Sequence, residues 1–123
     1  MRRKTLVAGA ALAVLALAPA AISEAGSDKP VRKTIKVGDF YFAPERLSVP
    51  VNSRVQWKWP SVPGDLHDVK LTRTPKGVKR FQSQLAASDY KYPRKPKKLT
   101  VPGRYVVICT LHPQMTTTIR VRR

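Results

Sequence analysis

Side chains that carry sulfur or imidazole are scarce in this chain of 123 residues. It has one cysteine, Cys109, and two histidines, His67 and His112, and Met115 is its only methionine besides the initiator. A single cysteine cannot form a disulfide within the chain. Two histidines are also too few for a metal centre that needs many imidazole ligands, which argues against a multinuclear oxidase.

Acidic residues are also scarce. The chain has 7 Asp and Glu against 24 Lys and Arg, a formal net charge of +17. This excess predicts attraction to acidic partners, to anionic polymers of the cell envelope or to anionic lipid headgroups. A role in solubility alone stays open, because net charge bears on association and not on fold.

No apolar run is long enough for a comfortable membrane span. The longest covers residues 6–18, behind three basic residues within the first four positions, and small residues follow it. This pattern predicts a secretory signal peptide over residues 1–25, cleaved after Ala20 or Ala25. An uncleaved anchoring helix is the alternative. Either way we expect export, to the periplasm or the outer face of the cytoplasmic membrane.

Residues 26–123 are predicted to form one all-β domain. Short segments of alternating polar and apolar residues end at turn residues, and prolines fall at the segment ends, where a sheet tolerates them. The segments are residues 34–37, 47–49, 54–59, 68–71, 98–101, 104–109 and 116–121. Several short strands with turns between them predict a Greek-key antiparallel β-sandwich.

The stretch over residues 77–97 is the ambiguous part of the domain. Residues 81–83 favour a strand and residues 84–88 a single helical turn. Residues 90–97 are basic and interrupted by prolines, which predicts a surface loop.

Four aromatic residues are expected in the core. Trp57 and Trp59 share one face of their segment with Val55, so we expect them to face inward. Phe40 and Phe42 are interpreted as core residues at the edge of the sandwich.

The scarce sulfur and imidazole residues form one pattern. Cys109-x-x-His112-x-x-Met115 occupies a single short stretch, and His67 lies upstream in a second loop. One thiolate and two imidazoles with a weak axial thioether form the ligand set of a blue-copper electron-transfer site. Taken singly, a buried cysteine, a core methionine or a structural histidine would be the simpler interpretation. Taken together, the four favour a metal.

These residues give the chain a resemblance to the cupredoxins, the small blue-copper proteins. The resemblance rests on Gly103-Arg-Tyr105 before a strand, on the Cys109 to Met115 loop, and on His67 at the start of a strand. It covers residues 35–121, and the short ligand loop is most similar to that of the amicyanins. It implies one mononuclear copper ion held by His67, Cys109, His112 and Met115, in a protein that is not an enzyme.

Asp68 stands where cupredoxins commonly have an asparagine. We expect its amide to donate to the Cys109 sulfur and its carboxylate to accept a hydrogen bond from Thr110. A negative charge at this position would favour Cu(II), so the resemblance does not predict the reduction potential.

The resemblance also implies an apolar patch around an exposed edge of His112, through which electrons pass. Its predicted members are Leu66, Leu111 and Pro113. The surrounding lysines and arginines predict redox partners with an acidic rim and an apolar centre.

The favoured function is therefore that of an exported, monomeric electron carrier with no nucleic-acid partner. Two alternatives stay open: an extracytoplasmic copper carrier or buffer, and a basic polyanion-binding module with a vestigial metal site. The basic stretch at residues 90–98 is the best evidence for the second. Hydrolytic zinc chemistry is disfavoured, because such a site would rarely recruit Met115.

Overall fold

The computed structural model of the chain describes residues 9–11, 13 and 29–123. Of the predicted signal peptide, only residues 9–11 and 13 are therefore described, and the predicted cleavage positions lie outside the described residues. Across the described ranges, no helix combines the length and hydropathy that a membrane crossing requires. The strands are β1 (Arg32–Gly38), β2 (Tyr41–Ala43), β3 (Arg46–Pro50), β4 (Arg54–Lys58), β5 (Lys70–Arg73), β6 (Lys91–Lys98), β7 (Gly103–Ile108) and β8 (Thr116–Arg122).

The strands form two four-stranded sheets around one core. Sheet I has the order β2-β1-β4-β6, and sheet II has the order β3-β8-β7-β5. Ile35 and Trp57 of sheet I share a buried cluster with Val107 and Ile119 of sheet II. Burying the apolar residues of both inner faces removes them from water, which is the main stabilising term in such a sandwich. The predicted all-β sandwich is confirmed.

Both sheets are mixed rather than wholly antiparallel. Strand β1 pairs with β4 in parallel, and β3 pairs with β8 in parallel, whereas the other four pairs are antiparallel. Between β1 and β4 the chain leaves sheet I to form β3 in sheet II. A chain that crosses to the opposite sheet and returns can enter beside its earlier strand in the same direction. The antiparallel part of the prediction therefore needs correction for these two pairs.

The predicted surface loop at residues 90–97 is instead largely strand β6. It pairs antiparallel with β4 at the edge of sheet I, where prolines are tolerated because one side of the strand needs no ladder partner. The side-chain amide of Gln56 donates to the carbonyls of Pro93 and Arg94, at 2.9 and 3.2 Å. These bonds replace ladder contacts where the β4–β6 register shifts.

The segment before β6 contains no helical turn. Ala86 forms an isolated bridge with His67, and Gln82 forms another with Lys70, so residues 82–86 run alongside the approach to β5. The predicted strand at residues 81–83 is reduced to this second bridge. Residues 82–86 therefore lie against the backbone from His67 to Lys70.

Three of the four aromatic predictions agree with the structure and one does not. Trp57, Trp59 and Phe42 are buried, and the Trp59 indole donates to the carbonyl of Ala86 at 3.0 Å. Phe40 is 51% exposed and has a φ of 65°, in the turn between β1 and β2. The core prediction for Phe40 was wrong, because the turn directs its side chain out of the sandwich.

Candidate metal centre

The four predicted ligands lie at one end of the sandwich. Cys109 follows the last residue of β7, Met115 precedes the first residue of β8, and His112 lies in the loop between them. Lys70 pairs with Ile108, and Ile108 pairs with Thr116, so β5 starts at the same end of sheet II. The loop before β5 therefore places His67 at that end. The sheet pairing therefore brings together residues 42 positions or more apart in sequence.

Three donor atoms of these residues form a compact triangle. His67 Nδ1 lies 3.2 Å from His112 Nδ1, and Cys109 Sγ lies 3.9 Å from the first nitrogen and 3.8 Å from the second. Cys109 and His67 are buried, whereas His112 is half-buried. The cluster is closed toward the core and open at His112.

The triangle fits a single metal ion. The point equidistant from its three corners lies about 2.1 Å from each, close to the roughly 2.0–2.3 Å that nitrogen and sulfur ligands keep from an ion such as zinc. One thiolate sulfur with two imidazole nitrogens suits a borderline-soft ion and not magnesium or calcium, which prefer oxygen. The three side chains can therefore bind an ion without rearranging.

The loop that carries the ligands is fixed by its own backbone. The Met115 amide donates to the carbonyl of His112 at 2.8 Å, and the Cys109 amide donates to the carbonyl of Met115 at 3.1 Å. Met115 is itself 1% exposed, with its thioether inside the core. This turn confines Cys109, His112 and Met115 to one small volume.

Solved structures with a similar fold include copper-containing proteins. A copper-containing nitrite reductase from Thermus scotoductus matches at 27% identity and a TM-score of 0.58, over 77% of this chain and 23% of that one. An amicyanin variant matches at 20% identity and a TM-score of 0.58, over 72% of this chain and 80% of that one. A pseudoazurin from Sinorhizobium matches at 16% identity and a TM-score of 0.60, over 76% and 75%. No protein-family model and no curated protein sequence matches.

The chain has the fold of the cupredoxins. It spans less than a quarter of the length of the nitrite reductase chain, so the likeness concerns one domain of that enzyme. It spans most of the length of the amicyanin and the pseudoazurin. The triangle of His67, Cys109 and His112, with the buried Met115 three residues after His112, matches in residue type the donor set of a mononuclear blue-copper ion.

Asp68 connects the two loops that carry the candidate ligands. Its carboxylate accepts from the Thr110 amide and the Thr110 hydroxyl, each at 2.7 Å, and from the Gln82 side-chain amide at 3.1 Å. Burial alone would raise the pKa of Asp68, but the bonds from Thr110 and Gln82 outweigh it and lower that pKa. The charged carboxylate thus ties the His67 loop to the Cys109 loop. The expected bond from the Asp68 amide to the Cys109 sulfur is not seen in the described part of the chain.

Asp39 is a neighbour of the cluster that sequence reasoning missed. It lies in the turn after β1, and its Oδ1 is 3.0 Å from His67 Nε2 and accepts from the Asp65 amide at 3.0 Å. A side chain at position 64 would collide with this carboxylate, so Gly64 makes room for it. Hydrogen bonding from His67, then from Asp65, lowers the pKa of Asp39.

The Asp39 contact also selects the tautomer of His67. A carboxylate accepts hydrogen bonds, so the ring proton lies on Nε2 and the lone pair lies on Nδ1, the atom that faces Cys109. No spacing in the sequence indicates Asp39, because the turn after β1 reaches His67 only through the packing of the fold.

Exposed apolar side chains accompany the two histidines of the cluster. The Phe40 ring meets the His112 ring edge-on, with centroids 4.9 Å apart, and reaches the His67 ring at 6.0 Å. Leu66 and Leu111, which precede the two histidines, are 49% and 50% exposed. Pro113 is also exposed. Sequence reasoning missed Phe40 here, because it assigned that ring to the core.

Proposed function

We propose that this protein is an exported blue-copper electron carrier that cycles between Cu(I) and Cu(II), one electron at a time. The observation that carries the proposal is the triangle of Cys109 Sγ, His67 Nδ1 and His112 Nδ1, with sides of 3.2, 3.8 and 3.9 Å. Copper would supply the redox chemistry in this site. His67, Cys109 and His112 would hold it, with Met115 as a further, weaker ligand.

The chain's own contribution is a rigid set of donors. Strand ends, the turn at Met115, and the carboxylates of Asp39 and Asp68 each fix one part of the cluster. Donors that are held in place give both oxidation states nearly the same geometry, so little rearrangement accompanies electron transfer. Such support is not expected around a vestigial site that no longer binds metal.

The open edge of His112 is the proposed point of electron exit. Leu66, Leu111 and Pro113 were predicted to surround it, and the exposed Phe40 ring adds a fourth apolar side chain against His112. An apolar surface lets a partner approach closely and exclude water. The high positive charge of the chain favours a partner whose surface is acidic.

A metal carrier or buffer is the competing function for the same ligands. A carrier must release its ion, whereas Cys109 and His67 are buried and only His112 is partly open. The buried ligands therefore favour retention of copper and transfer of electrons. Nitrite reduction is not part of the proposal, because this chain corresponds to only 23% of that enzyme chain.

Voltammetry of the copper-loaded mature domain tests the proposal. We expect one copper per chain by native mass spectrometry and a reversible one-electron wave that persists over repeated cycles. Cys109→Ser should abolish the wave, and sedimentation should show a monomer. Loss of copper from the wild-type protein on each reduction would instead indicate a carrier and overturn the electron-transfer proposal.

A further inference from the structure

The outer face of sheet I carries two rows of basic residues. The register of β1, β4 and β6 places Arg32 beside Arg54, and Arg54 beside Lys98, which form the first row. It likewise places Lys36 beside Lys58, and Lys58 beside Lys91, which form the second row. Side chains alternate along a strand, and Ile35 and Trp57 are buried in the core. The two rows therefore face away from it.

Within each row, positive charges lie next to one another across the strands, and no acidic side chain of the described residues neutralises them. Like charges directly across a pair of strands are destabilising. Within residues 29–123, no carboxylate forms an ion pair with any of the six side chains. Lys36 lies 5.9 Å from the centre of the Tyr41 ring, and Arg54 donates to the carbonyl of Pro96 at 3.4 Å. Neither contact supplies a negative charge, so the rows favour an anionic ligand outside the chain.

The six basic residues spread over a sheet face and do not lie along a single line. Neighbouring strands lie about 4.8 Å apart, and four residues along a strand cover about 13 Å. The six cations therefore occupy an area of roughly 10 by 13 Å on one sheet face. A single anionic polymer strand would follow one row, whereas a plane of negative charges contacts both rows together.

A groove borders the second row. Lys58 and Lys91 line a groove of about 950 Å³ together with Arg94, Tyr90, Tyr92 and one carboxylate, that of Asp89. Both tyrosines are half-buried because they pack against the core, Tyr90 on Trp59 and Tyr92 on Phe81. The lysines, and not the aromatic rings, therefore form the outer face beside this groove.

We propose that the outer face of sheet I binds the headgroup surface of an anionic lipid bilayer. The two rows contact the phosphates of that surface. The turn that carries Asp39 directly follows β1, so the second row lies toward the metal-site end of sheet I. A chain bound by this face would keep His112 at its rim, open to a partner.

Sedimentation with lipid vesicles tests the proposal, and the assay needs no copper in the protein. The membrane proposal can therefore fail while the proposed electron transfer stands, and the reverse. The probes are vesicles of phosphatidylglycerol mixed with phosphatidylcholine, and vesicles of phosphatidylcholine alone. The test variant is K36Q/K58Q/K91Q. The matched control, R104Q/R120Q/R122Q, removes the same charge from strands β7 and β8 of sheet II.

We expect wild-type protein to bind the anionic vesicles and not the neutral ones. At the usual contribution of each lysine near such a surface, the test variant should bind about 100-fold more weakly, and the control should change less than about fivefold. The test variant should unfold at the same temperature as wild type or higher, because its cross-strand repulsion is removed. A fold defect is thereby separated from a binding defect.

Three results would overturn the proposal. Equal losses in the two variants would mean that only net charge matters. Absence of wild-type binding to the anionic vesicles would exclude the membrane. A test variant that binds vesicles normally but loses affinity for polyglutamate would assign the face to an acidic protein instead.

Discussion

Asp39 Oδ1 lies 3.0 Å from His67 Nε2, and this contact joins the β1–β2 turn of sheet I to the loop that enters sheet II. The bond fixes both the ring orientation and the tautomer of His67. A carboxylate behind a ligating histidine also makes the imidazole more basic and thus a stronger ligand.

Replacing Asp39 with alanine should therefore weaken copper binding by roughly 10- to 100-fold, because His67 loses its acceptor. Asp39→Asn keeps an oxygen acceptor and should lose less affinity. A competitive titration against a copper chelator measures both. Asp65→Ala is the matched control, since only the backbone of Asp65 contacts Asp39. An Asp39→Ala variant that binds as tightly as the Asp65→Ala variant would refute the positioning role.

Replacing Met115 with leucine should leave copper bound and raise the reduction potential. Leucine has a similar volume, so the core at this position should stay filled. The variant loses only the thioether sulfur, which as a weak ligand would favour Cu(II) by donating electron density to it. Voltammetry of the copper-loaded variant checks the direction. A potential equal to that of wild type would show that Met115 is core filler and not a ligand.

The metal-free protein should lose stability in acid through Asp68. The folded pKa of Asp68 lies below the unfolded value of 3.8, because the bonds from Thr110 and Gln82 outweigh the effect of burial. The unfolded chain then binds more protons between the two values. The stabilisation is complete above 3.8 and is lost as the pH falls through the folded pKa.

Urea unfolding of the apoprotein at several pH values from about 6 down to about 3 tests this dependence. Asp68→Asn has no titrating group at the position, so its stability should fall less steeply over the same range. Parallel curves for the variant and the wild type would assign the acid sensitivity to other carboxylates.

Replacing Tyr105 with phenylalanine should cost about 1 kcal/mol of unfolding free energy, the usual net value of one hydrogen bond. The buried Tyr105 hydroxyl donates to the carbonyl of Val101 at 2.6 Å and holds the turn that leads into β7. Tyr41→Phe is the control, because the Tyr41 side chain is 42% exposed and its ring alone contacts Lys36. Equal denaturation midpoints for the two variants would contradict this role of the hydroxyl.

The sandwich and the ligand set were predictable because both depend on local patterns. Alternation within 54–59 and 116–121 indicates which side chains face the core, and the spacing from Cys109 to Met115 brings donors into one loop. Strand β6 was missed because its prolines suggest a loop, whereas an edge position tolerates them.

The contacts across the sandwich were not predictable in this way. Asp39 reaches His67, and Phe40 reaches His112, only after the β1–β2 turn has packed against the ligand loops. The parallel pairing of β1 with β4 depends on which sheet receives β3, and no single segment encodes that choice. The rows of basic residues on sheet I become visible only from the register of three strands.

The most direct test of the copper site is a visible absorption spectrum of the mature protein with one equivalent of Cu(II), recorded before and after ascorbate. An intense blue band that bleaches on reduction, returns in air and is absent from Cys109→Ser would show a thiolate-bound, redox-active copper at Cys109. A wild-type protein that stays colourless with Cu(II), or whose colour survives in Cys109→Ser, would contradict the ligand assignment and the proposed electron transfer.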